Sequence, residues 1–314
     1  MQFLITGGAG FIGHALARRL LDEGHSVRVV DDLSAGDPGR LPEDAIFARG
    51  DVNDVPRLWT LLQGVDCVYH LAARVSVSES IRYPREYNTV NVGGTVSVLE
   101  AMRDVGVKRL VFASSGAIYG EQSQQPLVET LPPDPRSPYA VSKLAAEHYI
   151  RTIGRLWNVE TVSLRIFNAY GPFQQLPNAH PPVIPQFIRQ ALGGGSLVLH
   201  NGGTQTRDFV YLDDVVDALV AAATAPDVDR RIINVGSGTE TSIRDLALAV
   251  GEVTGRDVHL LDVTGQSGGV SRMRADLTLA RELLGYEPKV FLREGLQQMV
   301  ERDVRFKQLA SREA

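Results

Sequence analysis

Apolar residues in this chain gather into short runs, separated by stretches in which they recur every three or four positions. Runs at 2–6, 26–30, 45–48, 66–71, 108–113, 159–166 and 231–235 predict strands. Between them, 11–23, 54–63, 83–105 and 137–157 carry helical spacing, as in Phe11, Ile12, Ala15, Leu16 and Leu20. This alternation predicts an α/β fold, a doubly wound parallel sheet. Ligands bind such sheets beyond the carboxyl ends of the strands. The residues there are Gly7–Gly13, Asp31–Gly36, Asp51-Val52, Leu71-Ala72-Ala73, Ser114-Ser115 and Asn168-Ala169. From about residue 170 the pattern loosens. Pro172, Pro177, Pro181, Pro182 and Pro185 punctuate an irregular stretch, and glycines cluster at 193–195, 202–203 and 265–269. A smaller C-terminal α/β lobe closing over the first is expected, with a terminal helix from about Arg302.

Composition narrows the class. The chain has 314 residues, 44% of them apolar, enough for one large or two smaller globular domains. A net charge of −5 gives no nucleic-acid footprint. No apolar run reaches membrane-spanning length, and the N-terminus enters a strand with no basic or apolar leader, so no signal peptide is expected. The single cysteine, Cys67, excludes an internal disulfide and suits a reducing cytoplasm. Seven histidines are scattered without metal-ligand spacing, so no metal site is expected.

The richest segment is Gly7-Gly8-Ala9-Gly10-Phe11-Ile12-Gly13, between the first strand and the first helix. It reads both as Gly7-x-x-Gly10-x-x-Gly13 and as Gly8-x-Gly10-x-x-Gly13. Glycines permit a tight turn and the close approach of a pyrophosphate, which the free amides of the helix N-terminus attract. About 20 residues on, the second strand ends in Asp31-Asp32, where an acid would bind the adenosine ribose hydroxyls and repel a 2′-phosphate. NAD rather than NADP is therefore expected. Residues 1–172 form the NAD-binding (Rossmann) part, with returning segments at about 207–236, and 173–314 mainly the substrate lobe.

Tyr139-Ala140-Val141-Ser142-Lys143 places a phenol and an ammonium one helical turn apart. Only four of the 32 basic residues are lysines, which makes the position of Lys143 informative. Its cation, with that of an oxidised nicotinamide, would stabilise the phenolate and yield a general base for a sugar hydroxyl as hydride leaves the same carbon. Ser137 and Pro138 read as the N-cap and first position of that helix. Ser115, at the end of the strand ahead of it, could hydrogen-bond the substrate oxygen.

With these residues in place, the chain resembles an extended short-chain dehydrogenase/reductase, and within that family the nucleotide-sugar epimerases of the UDP-galactose 4-epimerase group. The resemblance spans essentially the whole length. It rests on Gly7–Gly13, Asp31-Asp32-Leu33, Gly50-Asp51-Val52, His70-Leu71-Ala72-Ala73, Asn91, Ser114–Gly120, Tyr139 with Lys143, Arg165–Asn168, Tyr170-Gly171-Pro172 and Arg207-Asp208-Phe209. It implies catalysis by Tyr139, Lys143 and Ser115. It also implies an NAD site built from Gly7, Gly10, Phe11, Ile12, Gly13, Asp31, Asp32, Leu33, Gly36, Asp51, Val52, Leu71, Ala72, Ala73, Asn91, Tyr139 and Lys143. The substrate, a UDP-hexose, would meet Ser115, Tyr139, Asn168, Val183, Arg207 and Arg272. Homodimers are implied too, through the helices at 83–105 and 137–157, with Val96, Leu99, Tyr149 and Ile150 as candidates for contact or core.

Departures from the family pattern bear on the reaction. Dehydratases and decarboxylases of the family carry acids just beyond the hydroxyl matching Ser115, where this chain has Gly116 and Ala117. Neither can transfer a proton, which leaves the simpler cycle: oxidation at C4, rotation of the 4-keto sugar, and return of the hydride to the other face. The usual diphosphate-clamping Arg and the Gly-Asp after it are replaced by Gln266-Ser267-Gly268-Gly269, so Arg272 or Arg274 would substitute. Met273 falls near the position that limits the sugar 2-substituent. A 4-ketosugar reductase, or an epimerase of UDP-N-acetylhexosamine or UDP-uronate, are the alternatives.

Overall fold

In the computed structural model, residues 1–177, 179–265 and 270–312 are described. The apolar runs form β1 (Gln2–Thr6), β2 (Ser26–Asp31), β3 (Ile46–Arg49), β4 (Cys67–His70), β5 (Arg109–Ser115) and β6 (Glu160–Ile166). Then come β7 (Asn168–Tyr170), β8 (Leu197–His200), β9 (Thr206–Arg207), β10 (Phe209–Tyr211), β11 (Arg231–Val235), β12 (Thr241–Ser242) and β13 (Leu260–Val263). Seven of them make one sheet in the order β11-β6-β5-β4-β1-β2-β3. Every pairing within it is parallel. The chain runs outward from β1 through β2 to β3, then crosses to β4 on the other side of β1. That reversal opens a crevice at the carboxyl ends of β1 and β4.

Side chains alternate between the two faces of the sheet. Phe3 and Ile5 pack with Leu16 and Leu20 of the helix Phe11–Asp22 and with Val215 and Leu219 of the helix Leu212–Thr224. Leu4 faces the other way, onto Leu58, Val98, Leu99, Met102, Ala146 and Ile150 from the helices Val55–Leu61, Gly94–Val105 and Pro138–Trp157. The C-terminal lobe has its own core. Phe187 and Ile188 of the helix Val183–Leu192 meet Leu246 and Val250 of Ile243–Thr254, Leu296 and Met299 of Leu292–Arg302, and Phe306 of the terminal helix Val304–Arg312. Met273, Ala275, Leu277, Ala280 and Tyr286 cross back into the core beside the first helix, a return of the chain in addition to that near 207–236.

Two local departures matter to the site. The helix expected across 83–105 is a short helix Pro84–Tyr87, a π-helical turn Asn88–Gly93 and a helix Gly94–Val105. A helix Val77–Arg82 precedes them, capped by Ser76. Gly94 lies so close to Val52 that a Cβ would stand 2.5 Å from its Cγ2. The helix bearing Tyr139 starts as the sequence indicates, with Pro138 at its first turn and Ser137 Oγ accepting from Ala140 N at 3.2 Å.

Candidate active site

The glycine turn after β1 has no space for side chains. A Cβ on Gly7, where φ is +68°, would stand 2.7 Å from both Cα and N of Ala72; one on Gly13 would stand 2.5 Å from Gly7 O. Gly10 caps the first helix without a side-chain hydrogen bond, which leaves its opening amides directed into the crevice. Beside it, Asp31 is buried. Its Oδ2 accepts from Ala9 N at 3.1 Å and its Oδ1 from Leu33 N at 2.8 Å. Burial raises its pKa, against the pull of those two amides. A Cβ on Gly36 would stand 2.8 Å from Asp31 Oδ1, so glycine there keeps the carboxylate's approach narrow. Asp32 is exposed and binds Ser34; Asp51, also exposed, accepts from Asn53 N at 2.8 Å. This cradle fits a dinucleotide: amides for a pyrophosphate, an anchored carboxylate for ribose hydroxyls, and the partly open Leu71-Ala72-Ala73 as a wall.

A buried relay stiffens that wall. Thr6 Oγ1 lies 2.7 Å from His70 Nδ1, and His70 Nε2 lies 3.0 Å from Thr95 Oγ1, which itself donates to Asn91 O at 2.6 Å. Since Thr95 donates onward, it accepts from His70 Nε2–H, and Nδ1 accepts from Thr6. Burial lowers the His70 pKa to about 3, so the ring is neutral. Asn91, expected at the cofactor, spends its amide elsewhere: Oδ1 accepts from Arg74 N at 2.8 Å, and Nδ2 donates to Arg74 O at 3.0 Å and Ser142 Oγ at 2.9 Å. It braces the loop after β4 against the helix of Tyr139.

On that helix, Tyr139 and Lys143 are both buried. Lys143 Nζ donates to Ala113 O at 2.8 Å and stands 4.8 Å from the centroid of Phe112. Burial lowers its pKa to about 7, opposed by Glu147. Burial raises the Tyr139 phenol, and a hydrogen bond with Ser115 opposes the rise. The net upward direction is the reverse of the lowering expected from sequence, because Lys143 is drawn to the Ala113 carbonyl and desolvation dominates. Ser115 Oγ also accepts from Ala117 N at 3.2 Å.

One turn beyond Lys143, Glu147 forms a buried ion pair that sequence reasoning missed. Arg165 donates Nε to its Oε1 at 3.0 Å and Nη2 to its Oε2 at 2.8 Å, and Ser114 Oγ donates to Oε1 at 2.6 Å. The pair ties β5, β6 and the catalytic helix together. Its signal was an acid and an arginine in otherwise apolar settings, with nothing local to link them.

The residues expected at the substrate come from β7 and the C-terminal half. Asn168, on β7, is exposed, and Val183 begins its helix half-buried. Arg207 donates Nη1 to Thr206 O at 2.6 Å and Val270 O at 2.8 Å, and among the described residues it makes no ion pair. Its neighbour Asp208 faces inward instead, accepting from the backbone amides of Ser237, Gly238 and Ala275 and from Ser237 Oγ. Arg272 is 55% exposed and forks onto Glu240, both contacts at 2.7 Å. Met273 is buried against Gly116, whose Cβ would stand 3.3 Å from Met273 Cε. Residues 266–269, where the usual clamping Arg is missing, lie outside the described residues, as does Asn178.

A model of the NAD dependent epimerase/dehydratase family matches residues 3–236. The chain belongs to that family. It is 38% identical over 308 residues to a UDP-glucose 4-epimerase of Mycolicibacterium smegmatis, covering 96% of this chain and 98% of the relative. The crystal structure of a Thermotoga maritima UDP-glucose 4-epimerase with UDP-glucose superposes with a TM-score of 0.92 at 36% identity, covering 98% of this chain and 99% of that one. A Thermus thermophilus UDP-glucose 4-epimerase in complex with NAD gives 0.88 at 35%, covering 96% and 98%. As a family member, this chain is NAD-dependent, and its fold is the Rossmann-like sheet of those structures. Among the described residues no cluster of His, Cys, Asp or Glu could hold a metal ion, and no helix is long and apolar enough to cross a membrane.

Proposed function

We propose that this protein is an NAD-dependent nucleotide-sugar 4-epimerase whose substrate pair is UDP-glucose and UDP-galactose. The observation that carries this reading is the convergence of Ser115, Tyr139 and Lys143 at the carboxyl end of β5 beside the glycine cradle. When bound, NAD supplies the hydride acceptor and donor for the sugar C4. Tyr139 Oη takes the proton of the 4-hydroxyl and returns it to the 4-keto sugar after rotation. Ser115 Oγ orients that oxygen. Lys143 Nζ binds the nicotinamide ribose and stabilises the phenolate, a role that asks it to turn from Ala113 O. Asp31 holds the adenosine ribose, and the amides of Gly10, Phe11 and Ile12 receive the pyrophosphate.

Gly116 and Ala117 offer no acid for dehydration, and the crowding of Gly116 by Phe167 and Met273 resists one. Arg207, whose hydrogen-bond partners among the described residues are carbonyls, keeps its charge for a substrate phosphate. Arg272 would have to leave Glu240 to do the same.

The chain is also proposed to form a homodimer. Val77 and Ile81 on one helix and Val141 and Tyr149 on the catalytic helix packed against it are exposed apolar residues, with Val75 and Tyr83 nearby. Such a patch marks a protein–protein surface. Of the contact candidates named from sequence, Tyr149 is on this surface, while Leu99 and Ile150 are core residues. Cys67, buried and unpaired, fits the proposed cytoplasmic setting.

The test is incubation with UDP-, dTDP-, GDP- and CDP-hexoses, hexosamines and uronates without added cofactor, with products resolved by NMR. Interconversion of UDP-glucose and UDP-galactose is expected. Turnover only of a 4-keto sugar, and only with NADPH, would replace the epimerase with a reductase.

A further inference from the structure

Far from the crevice, on the β11 edge of the sheet, lies a groove of about 810 Å³ that the reaction does not use. Its walls are the second half of the helix Pro138–Trp157, the start of β11 and the segment at Glu129-Thr130. Arg151, Arg155 and Arg231 line it, together with His148. Arg151 and Arg155 are four residues apart on one helix, so they project from the same face, and all three arginines are exposed. Many arginines of this chain are paired elsewhere: Arg19, Arg40, Arg74, Arg109, Arg165 and Arg272 each hold a carboxylate. Among the described residues, Arg151, Arg155 and Arg231 make no ion pair and no side-chain hydrogen bond.

Two carboxylates also line the groove, but both are engaged. Glu129 Oε1 accepts from Asn234 N at 2.8 Å. Asp229 Oδ1 accepts from Thr161 N at 3.1 Å, and its Oδ2 pairs with Arg230 at 2.8 Å. Three guanidiniums thus converge on one concavity without a counterion of their own, with the hydroxyls of Thr130 and Thr152 beside them. Guanidinium forks match phosphoryl oxygens bidentately, and a concave wall focuses their field. Among the described residues no Phe, Tyr or Trp lines the groove to stack a base.

We propose that this groove is a second ligand site, distinct from the crevice, that binds a small polyanion bearing two or more phosphoryl groups. The test is calorimetric titration of the full-length protein with inorganic tripolyphosphate. The variants are Arg151→Gln/Arg155→Gln, Arg231→Gln and, as a control in the crevice, Arg207→Gln. Saturable binding of one tripolyphosphate at this site is expected. The double variant should bind at least tenfold more weakly and Arg231→Gln several-fold more weakly, while Arg207→Gln leaves this binding unchanged. Because the substituted arginines are exposed and unpaired, the variants should melt with the wild type, so weaker binding reports the groove. Citrate, a polyanion without phosphoryl oxygens, should bind at least tenfold more weakly. No saturable binding, or equal binding by wild type and double variant, overturns the site. Equal affinity for citrate overturns the phosphate class, and binding of a single-stranded oligonucleotide but not tripolyphosphate overturns the small-ligand reading.

Discussion

The two walls of the crevice are built by different means. On the wall proposed for the cofactor, polar atoms are closed on neighbours and the backbone fills the space. Asp31 is held by two amides, His70 sits between two threonines, and Gly7 and Gly13 are walled in by main chain. On the wall proposed for the substrate, Asn168 is exposed, Arg207 rests on two carbonyls, and Arg272, itself exposed, is held by a single carboxylate. One wall is preorganised for an invariant ligand. The other can exchange partners, which suits a surface that must admit and release a sugar nucleotide and let its sugar turn. The contrast predicts that changes on the cofactor wall cost stability and cofactor, whereas changes on the substrate wall cost affinity alone.

The largest effect belongs to the residue where the walls meet. Tyr139→Phe deletes only the hydroxyl and keeps the ring that packs edge-on to Tyr87 at 6.4 Å. Turnover should fall about 10³-fold, within the usual range for a lost acid–base group, with NAD retained and the melting temperature unchanged. Activity within tenfold of wild type would remove Tyr139 from its role. Next comes Gly7→Ala, which sets a Cβ 2.7 Å from the Ala72 backbone at a φ of +68°. A destabilisation of about 1–3 kcal/mol in urea unfolding is expected, along with loss of NAD on purification. A variant as stable as wild type that keeps NAD would show that the cradle is less closed than its contacts indicate.

The same contrast explains what could be read from the chain beforehand. The strands of the large sheet, the glycine turn, Asp31 and the start of the Tyr139 helix are decided within a few residues, and local pattern reaches that far. Arg272 meets Glu240, and Arg207 meets Val270, across long stretches of sequence. Asp208, adjacent to Arg207 in sequence, turns away from it and accepts from Ser237, Gly238 and Ala275. The short strands of the C-terminal half, two to four residues each, are too brief for periodicity to register. The π turn that carries Asn91 also escaped, because helical spacing continues through it, while the long-range contacts of Gly94 with Val52 and of Thr95 with His70 lie just beyond it.

A gentler probe of the closed wall is acid. His70 has a pKa of about 3 in the folded protein, against about 6.5 for a free imidazole. Below pH 6.5 the unfolded chain therefore takes up a proton that the native state refuses, and stability declines as pH falls, by about 1.4 kcal/mol per unit. His70→Gln lacks that linkage. Wild type should exceed the variant most at pH 7, with the difference shrinking by about 2 kcal/mol on going to pH 5. Parallel curves in urea unfolding at both pH values would mean that the imidazole is protonated in the fold or reached by water.

The smallest effects should lie on the open wall, and they separate its two arginines. Arg207 is half-buried and, among the described residues, makes no direct ion pair, the Glu121 carboxylate only opposing the effect of its burial, so a phosphate there would supply a contacting counter-charge. Charge-assisted hydrogen bonds of this kind are worth about 1.5–3 kcal/mol, so Arg207→Gln should raise KM for UDP-galactose about 10- to 100-fold and leave kcat nearly unchanged. Arg272 is already matched by Glu240, whose carboxyl it holds down at about 2. An exposed pair contributes little. Arg272→Gln should therefore shift KM by less than about threefold, while returning Glu240 to the ordinary carboxylate range in an NMR titration. If the order is reversed, with Arg272→Gln the more damaging, then Arg272 leaves Glu240 to clamp the diphosphate. The substrate wall would then work by exchange of ion-pair partners, with Glu240 as the resting partner, and Glu240→Gln should lower KM by freeing the guanidinium in advance.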